Sequence, residues 1–81
     1  MGCINPDGTV TEAARELLRL LEGKPLTDRD VAARTLSGQP LYMIRSRLRE
    51  LREAGLIEEE AGRFRITEKG RERVFLARAS L

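Results

Sequence analysis

Four arginines, Arg45, Arg47, Arg49 and Arg52, crowd one stretch of the chain, with a single acid, Glu50, among them. A guanidinium group is planar, permanently charged and carries its N–H donors in a fixed fork. It therefore suits phosphate and the major-groove edge of guanine. Thirteen of the fifteen basic residues are arginine, a bias that fits a polyanion partner and equally a compositional habit of the source. The chemistry of catalysis is missing. There is no histidine for acid–base work, no nucleophile–base pair and no glycine-rich phosphate loop. The lone cysteine, Cys3, allows no intrachain disulfide and, without histidine, no tetrahedral metal site. The chain reads as a non-enzyme without metal or cofactor and without an evident small-molecule site. Cys3 reads as inert, against a redox or metal role shared across a dimer.

A helix over residues 40–54 would position these arginines. Ile44, Leu48 and Leu51 stand at i, i+4 and i+7, and Leu41 extends their stripe one turn back. That face is core. Tyr42, Arg45, Ser46 and Arg49 fall on the far side, with Met43 at the flank. Pro40 suits the first turn, and Gly55 can take the left-handed conformation that closes a helix. The structural alternative for the arginines is a solvated face laced with ion pairs, for which Arg49–Glu53 has the right spacing. Glu50 and Glu53 are expected to face outward. Tyr42 fits a phosphate contact or packing against the preceding helix.

Around this helix, 81 residues suggest one domain, 1–81, small enough to be marginally stable alone. Residues 1–8 read as an extended arm ending in the turn Asn5-Pro6-Asp7-Gly8. Thr9 and Glu12 fit a capping box for a first helix from about Val10 to Glu22, with Val10, Ala14, Leu17, Leu18 and Leu21 inward and Gly23 at its end. Lys24-Pro25-Leu26 could be an edge strand. Thr27 and Asp30 cap a second helix from about Asp28 to Leu36, burying Val31, Ala32 and Leu36, with Ala32 and Ala33 small enough for a close crossing. Ser37-Gly38-Gln39 is a turn. Leu56 to Glu60 and Arg63 to Thr67 form a hairpin about Ala61-Gly62, with Phe64 and Ile66 on the core face. Thr67 caps a last helix, 68–79, in which Gly70, Val74, Ala77 and Leu81 share one side.

The order is helix, short strand, helix, turn, helix, hairpin, helix: mainly α with a small β hairpin, an α+β class. Leu48-Arg49-Glu50-Leu51-Arg52-Glu53-Ala54-Gly55-Leu56-Ile57 resembles the L-x-x-L-x-x-x-G-L-I segment of winged helix-turn-helix transcription regulators. Ile66-Thr67-Glu68-Lys69-Gly70 resembles the segment that ends the wing in repressors of the MarR and PadR kind. The resemblance covers about residues 10–79. It implies a three-helix core with a helix-turn-helix at 27–54, a two- or three-stranded wing at 56–67 and a C-terminal helix at 68–79. It also implies double-stranded DNA as partner, with the third helix in the major groove and the wing beside the backbone.

On these positions Arg45 and Ser46 are the expected base contacts, with Tyr42 and Met43 beside them. Arg47, Arg49, Arg63 and Arg65 are the expected backbone contacts, and Lys24 and Arg29 could flank them. Tyr42 and Met43 stand where the family has Ser or Thr. Glu58, Glu59 and Glu60 make the wing acidic. The net charge is only +2, although residues 1–44 carry five basic and six acidic groups and residues 45–81 ten and seven. The alternative is a winged-helix module that binds protein through the acidic wing and third helix. Phe75 and Leu76 lie off the last helix's stripe and suggest a homodimer. No run approaches membrane-spanning length and no signal peptide is visible, so no membrane partner and a cytoplasmic location are expected.

Overall fold

The first helix, α1, spans Glu12–Gly23 in the computed structural model, which describes residues 3–36 and 38–79, the side chains of 75–79 excepted. Its N-cap is Thr11, whose hydroxyl accepts from the Ala14 N–H at 3.3 Å. The expected cap, Thr9, is engaged elsewhere. Its hydroxyl donates to the Asp7 carboxylate at 2.7 Å and accepts from the Asn5 amide at 2.9 Å. Short polar side chains of this kind close local turns in preference to helices. Val10 consequently precedes the helix, bridging Ile4 in antiparallel fashion, and is still buried. The described part of the arm is therefore folded onto the domain. The Asn5 N–H reaches the Thr9 carbonyl at 2.7 Å, and Gly8 turns the chain at φ 91°.

The second helix, α2 (Asp28–Arg34), has the reciprocal cap the sequence implied: the Thr27 hydroxyl accepts from the Asp30 N–H and the Asp30 carboxylate from the Thr27 N–H. It stops two residues short of Leu36. Thr35 is extended (ψ 140°), which turns the chain off the helical stripe, and Leu36 is 97% exposed rather than buried. Ala32 packs on the core, whereas Ala33 is exposed. Ser37, part of the expected turn, lies outside the described residues, as do Met1 and Gly2 of the arm.

The third helix, α3 (Leu41–Glu53), begins after Pro40, whose carbonyl accepts from the Met43 and Ile44 N–H groups. Ile44, Leu48 and Leu51 are fully buried. At its end Gly55 takes φ 81°, its N–H reaches the Arg52 carbonyl, and the Leu56 N–H reaches back to the Leu51 carbonyl at 3.0 Å. These paired bonds satisfy the last carbonyls and aim the chain into the hairpin.

The hairpin consists of β1 (Ile57–Glu60) and β2 (Arg63–Ile66), antiparallel, with Ile57 opposite Ile66 and Glu58 opposite Arg65. Its two-residue turn has positive φ at both Ala61 (53°) and Gly62 (79°), the geometry that matches strand twist. Leu26 does not form a third strand. It contributes one bridge to Phe64, with both backbone hydrogen bonds made, at 3.0 and 2.7 Å. Pro25, without an N–H, cannot extend that ladder.

The last helix, α4 (Glu68–Ala79), opens on Thr67, whose hydroxyl accepts from the Gly70 N–H and donates to the Gly55 carbonyl at 2.7 Å. Gly70 is a close-approach glycine. A Cβ there would lie 2.1 Å from the Leu56 carbonyl oxygen and 2.7 Å from Ile66 Cγ1. Ala77 and Leu81, expected beside Gly70 and Val74, fall outside the described side chains. The result is four helices and a two-strand hairpin around one core, in which Leu17, Leu18, Leu21, Val31, Ile44, Leu48, Leu51, Leu56, Ile57 and Val74 are at most 2% exposed.

Candidate nucleic-acid interface

Helix α3 is held by its stripe, so its other face is determined. Tyr42 (74% exposed), Arg45, Ser46 and Arg49 all stand in solvent along it. The exposure of Tyr42 disposes of packing against α2. Met43 is half-buried at the flank, where it lines a cleft of about 350 Å³ with Tyr42, Ser46, Arg47 and Glu50.

The arginines differ in what they already hold. Arg45 Nε donates to Asp28 Oδ2 at 2.7 Å, joining α3 to the first turn of α2. That bond holds the Asp28 carboxyl below the usual carboxylate range. Arg47 is half-buried, and its Nε donates to the Gln39 side chain. Arg52 pairs with Glu59 of β1 at 2.6 Å. Arg65 pairs with Glu58, directly across the hairpin, at 2.7 Å and more loosely with Glu60 at 3.9 Å. Those carboxylates raise the Arg65 pKa further. The Arg49–Glu53 pair that the structural alternative offered is absent, and among the described residues Arg49 has no ion pair. Exposed pairs of this kind contribute little to stability, so they can be exchanged for another anion at small cost.

At the hairpin, Arg63 is exposed beside the turn and lines a shallow cleft with Lys24, Pro25, Leu26 and Asp30. This cleft brings together the flanking cation Lys24 and the hairpin cation Arg63, which lie far apart in sequence. Arg29 is exposed in the first turn of α2. Glu58, Glu59 and Glu60 are all exposed, but each has an arginine against it.

Glu50 is not outward as expected. It is half-buried and accepts the Cys3 N–H at 3.0 Å, while the Cys3 thiol donates to the Arg47 carbonyl. The arm is thus fastened to the back half of α3. Burial, then the Glu50 charge, push the Cys3 thiol up to about 11. Asp28, Gln39 and Cys3 are the partners sequence reasoning missed. No local pattern relates residue 28 to residue 45.

A cleft of about 540 Å³ lies elsewhere, between α1 and the end of α2, lined by Arg15, Arg19, Leu20, Arg34 and Leu36 among others. Among the described residues no group of three or more His, Cys, Asp or Glu could hold a metal, and no helix is long and apolar enough to cross a membrane. The side chains of Phe75 and Leu76, the suggested dimer contacts, lie outside the described residues. Compared with family models, with curated proteins and with solved structures, the chain matches none.

Proposed function

We propose that the chain is a small winged-helix DNA-binding regulator, with α3 in the major groove and the hairpin as the wing beside the backbone. The observation that carries this reading is the two-sided character of α3. Ile44, Leu48 and Leu51 seat one side in the core, and Tyr42, Arg45, Ser46 and Arg49 stand exposed on the other. An exposed helix of this diameter fits the major groove, and residues near its N-terminal end reach base edges. Arg49, Arg63 and Lys24 would neutralise phosphate, which positions the protein without specifying sequence.

The experiment is a salt titration of binding to duplex DNA. Affinity should fall steeply with salt, with a slope set by the number of phosphates neutralised. The double variant Arg45→Ala, Arg49→Ala should weaken binding and flatten that slope. An unchanged slope overturns the assignment of α3. A homodimer belongs to the same proposal, since two copies would present two α3 helices to successive turns of DNA. Sedimentation of a monomer at micromolar concentration would remove the dimer from it.

A second reading is favoured by one observation. Arg45, Arg52 and Arg65 are already matched by Asp28, Glu59 and Glu58, which lowers the positive potential of the face. A winged-helix module that docks on protein would use the same surface, and the salt titration separates the two.

A further inference from the structure

We propose that Asp28 is a positioning residue that holds Arg45 in the geometry for reading a guanine, making a G·C pair the base pair this face selects. The inference rests on the DNA-binding reading above. The bond between the two runs through Nε of Arg45, at 2.7 Å to Oδ2 of Asp28. The two terminal nitrogens of that guanidinium make no hydrogen bond among the described residues, and the side chain is 55% exposed. Those two nitrogens form the end of the fork, which matches O6 and N7 of guanine.

The other two ion-paired arginines of α3 and the hairpin are used differently. Arg52 gives a terminal nitrogen to Glu59, and Arg65 gives Nε and a terminal nitrogen to Glu58. Of these three, Arg45 alone keeps its whole end face; Arg47 is held through Nε as well, by Gln39, but is half-buried. An unrestrained arginine loses side-chain entropy when it is fixed against a base, and a tethered one loses less. The tether is itself well anchored. Asp28 is the first residue of α2, directly after the capping Thr27, and its side chain is only 27% exposed. A carboxylate in this position also repels phosphate, which favours a base edge over the backbone as the destination of Arg45.

The test starts with selection of a preferred duplex from a random-sequence library by the full chain. Each guanine of the selected site is then replaced by adenine or by 7-deazaguanine. At one guanine both replacements should weaken wild-type binding by about tenfold or more. Arg45→Lys should abolish that discrimination while keeping salt-dependent binding, because a point charge cannot fork. Asp28→Ala should reduce the discrimination several-fold while affinity for unrelated duplex stays the same or rises. In the Arg45→Lys background, Asp28→Ala should change the discrimination no further.

Three results would overturn the inference. One is guanine discrimination intact in Asp28→Ala. Another is an equal change on every duplex, the mark of a carboxylate that only repels phosphate. The third is a selected site with no sensitive guanine. Asp28→Pro, which suits the first position of α2 and has no side-chain acceptor for Arg45, replaces the alanine variant if circular dichroism shows that the latter does not fold. Wild-type protein that binds no duplex in a salt-dependent way defeats the DNA-binding reading itself and takes this inference with it. That outcome is distinct from all three.

Discussion

At the residue scale, two positions answer to different physics. The Cys3 thiol is buried beside the Glu50 carboxylate and is pushed up to about 11. Folding therefore holds its proton more tightly than the unfolded chain does, where a thiol titrates at about 8.5. The stability this contributes is complete below the unfolded value and is lost as pH rises towards the folded one. Urea denaturation should show an alkaline decline between about pH 8.5 and 11 that is reduced in Cys3→Ala, and alkylation of the native thiol at pH 8 should be slow. Gly70 answers to sterics alone. A methyl group there would meet the Leu56 carbonyl oxygen at 2.1 Å, and backbone cannot step aside as a flexible side chain can. Gly70→Ala should therefore destabilise by about 1–3 kcal/mol or more, despite alanine's better helix propensity, as urea midpoints would show. A gain in stability would mean that α4 does not sit this close to Leu56.

At the element scale, the junction between α3, the hairpin and α4 turns on one hydroxyl. Thr67 donates to the Gly55 carbonyl and accepts from the Gly70 N–H, so a single side chain closes one helix and opens another. Thr67→Ala should cost about 1–2 kcal/mol, and Thr67→Ser should recover most of it. Measured urea midpoints for the pair separate capping from mere loss of a methyl group. Elements such as these were legible in the sequence because their determinants are local. The stripe of α3, its Gly55 exit, the Thr27–Asp30 cap and the Ala61-Gly62 turn each lie within a few residues. The misreadings share the opposite cause. Thr9 was taken by Asp7 and Asn5, so α1 starts at Thr11's cap instead. Leu36 was lost from the core when Thr35 went extended, which no apolar spacing reveals. The partners of Arg45, Arg47 and Arg52 come from Asp28, Gln39 and Glu59, on neighbouring elements or loops. The candidate face was therefore readable as a set of exposed cations, but not as a set of tethered ones.

At the scale of the whole molecule, four arginines among the described residues, Arg15, Arg45, Arg52 and Arg65, stand in ion pairs, three of them on the candidate face. A face on which Arg45, Arg52 and Arg65 are already matched should bind nonspecific DNA weakly and lose that binding at modest salt. Replacing Glu58 and Glu60 with glutamine would release Arg65 from both of its partners. Affinity for unrelated duplex should then rise, on the order of tenfold at low salt, with a steeper salt slope measured by fluorescence anisotropy. An unchanged slope would place the hairpin outside the bound surface. The fastening of the arm has a consequence in time rather than in charge. Cys3 bonds to Arg47 and Glu50, across 44 and 47 residues of chain. On a ribosome the arm emerges before its partners, which arrive more than forty residues later. The arm can therefore be fastened only after the residues of α3 that hold it have been made, and closing so long a loop costs entropy that local contacts do not.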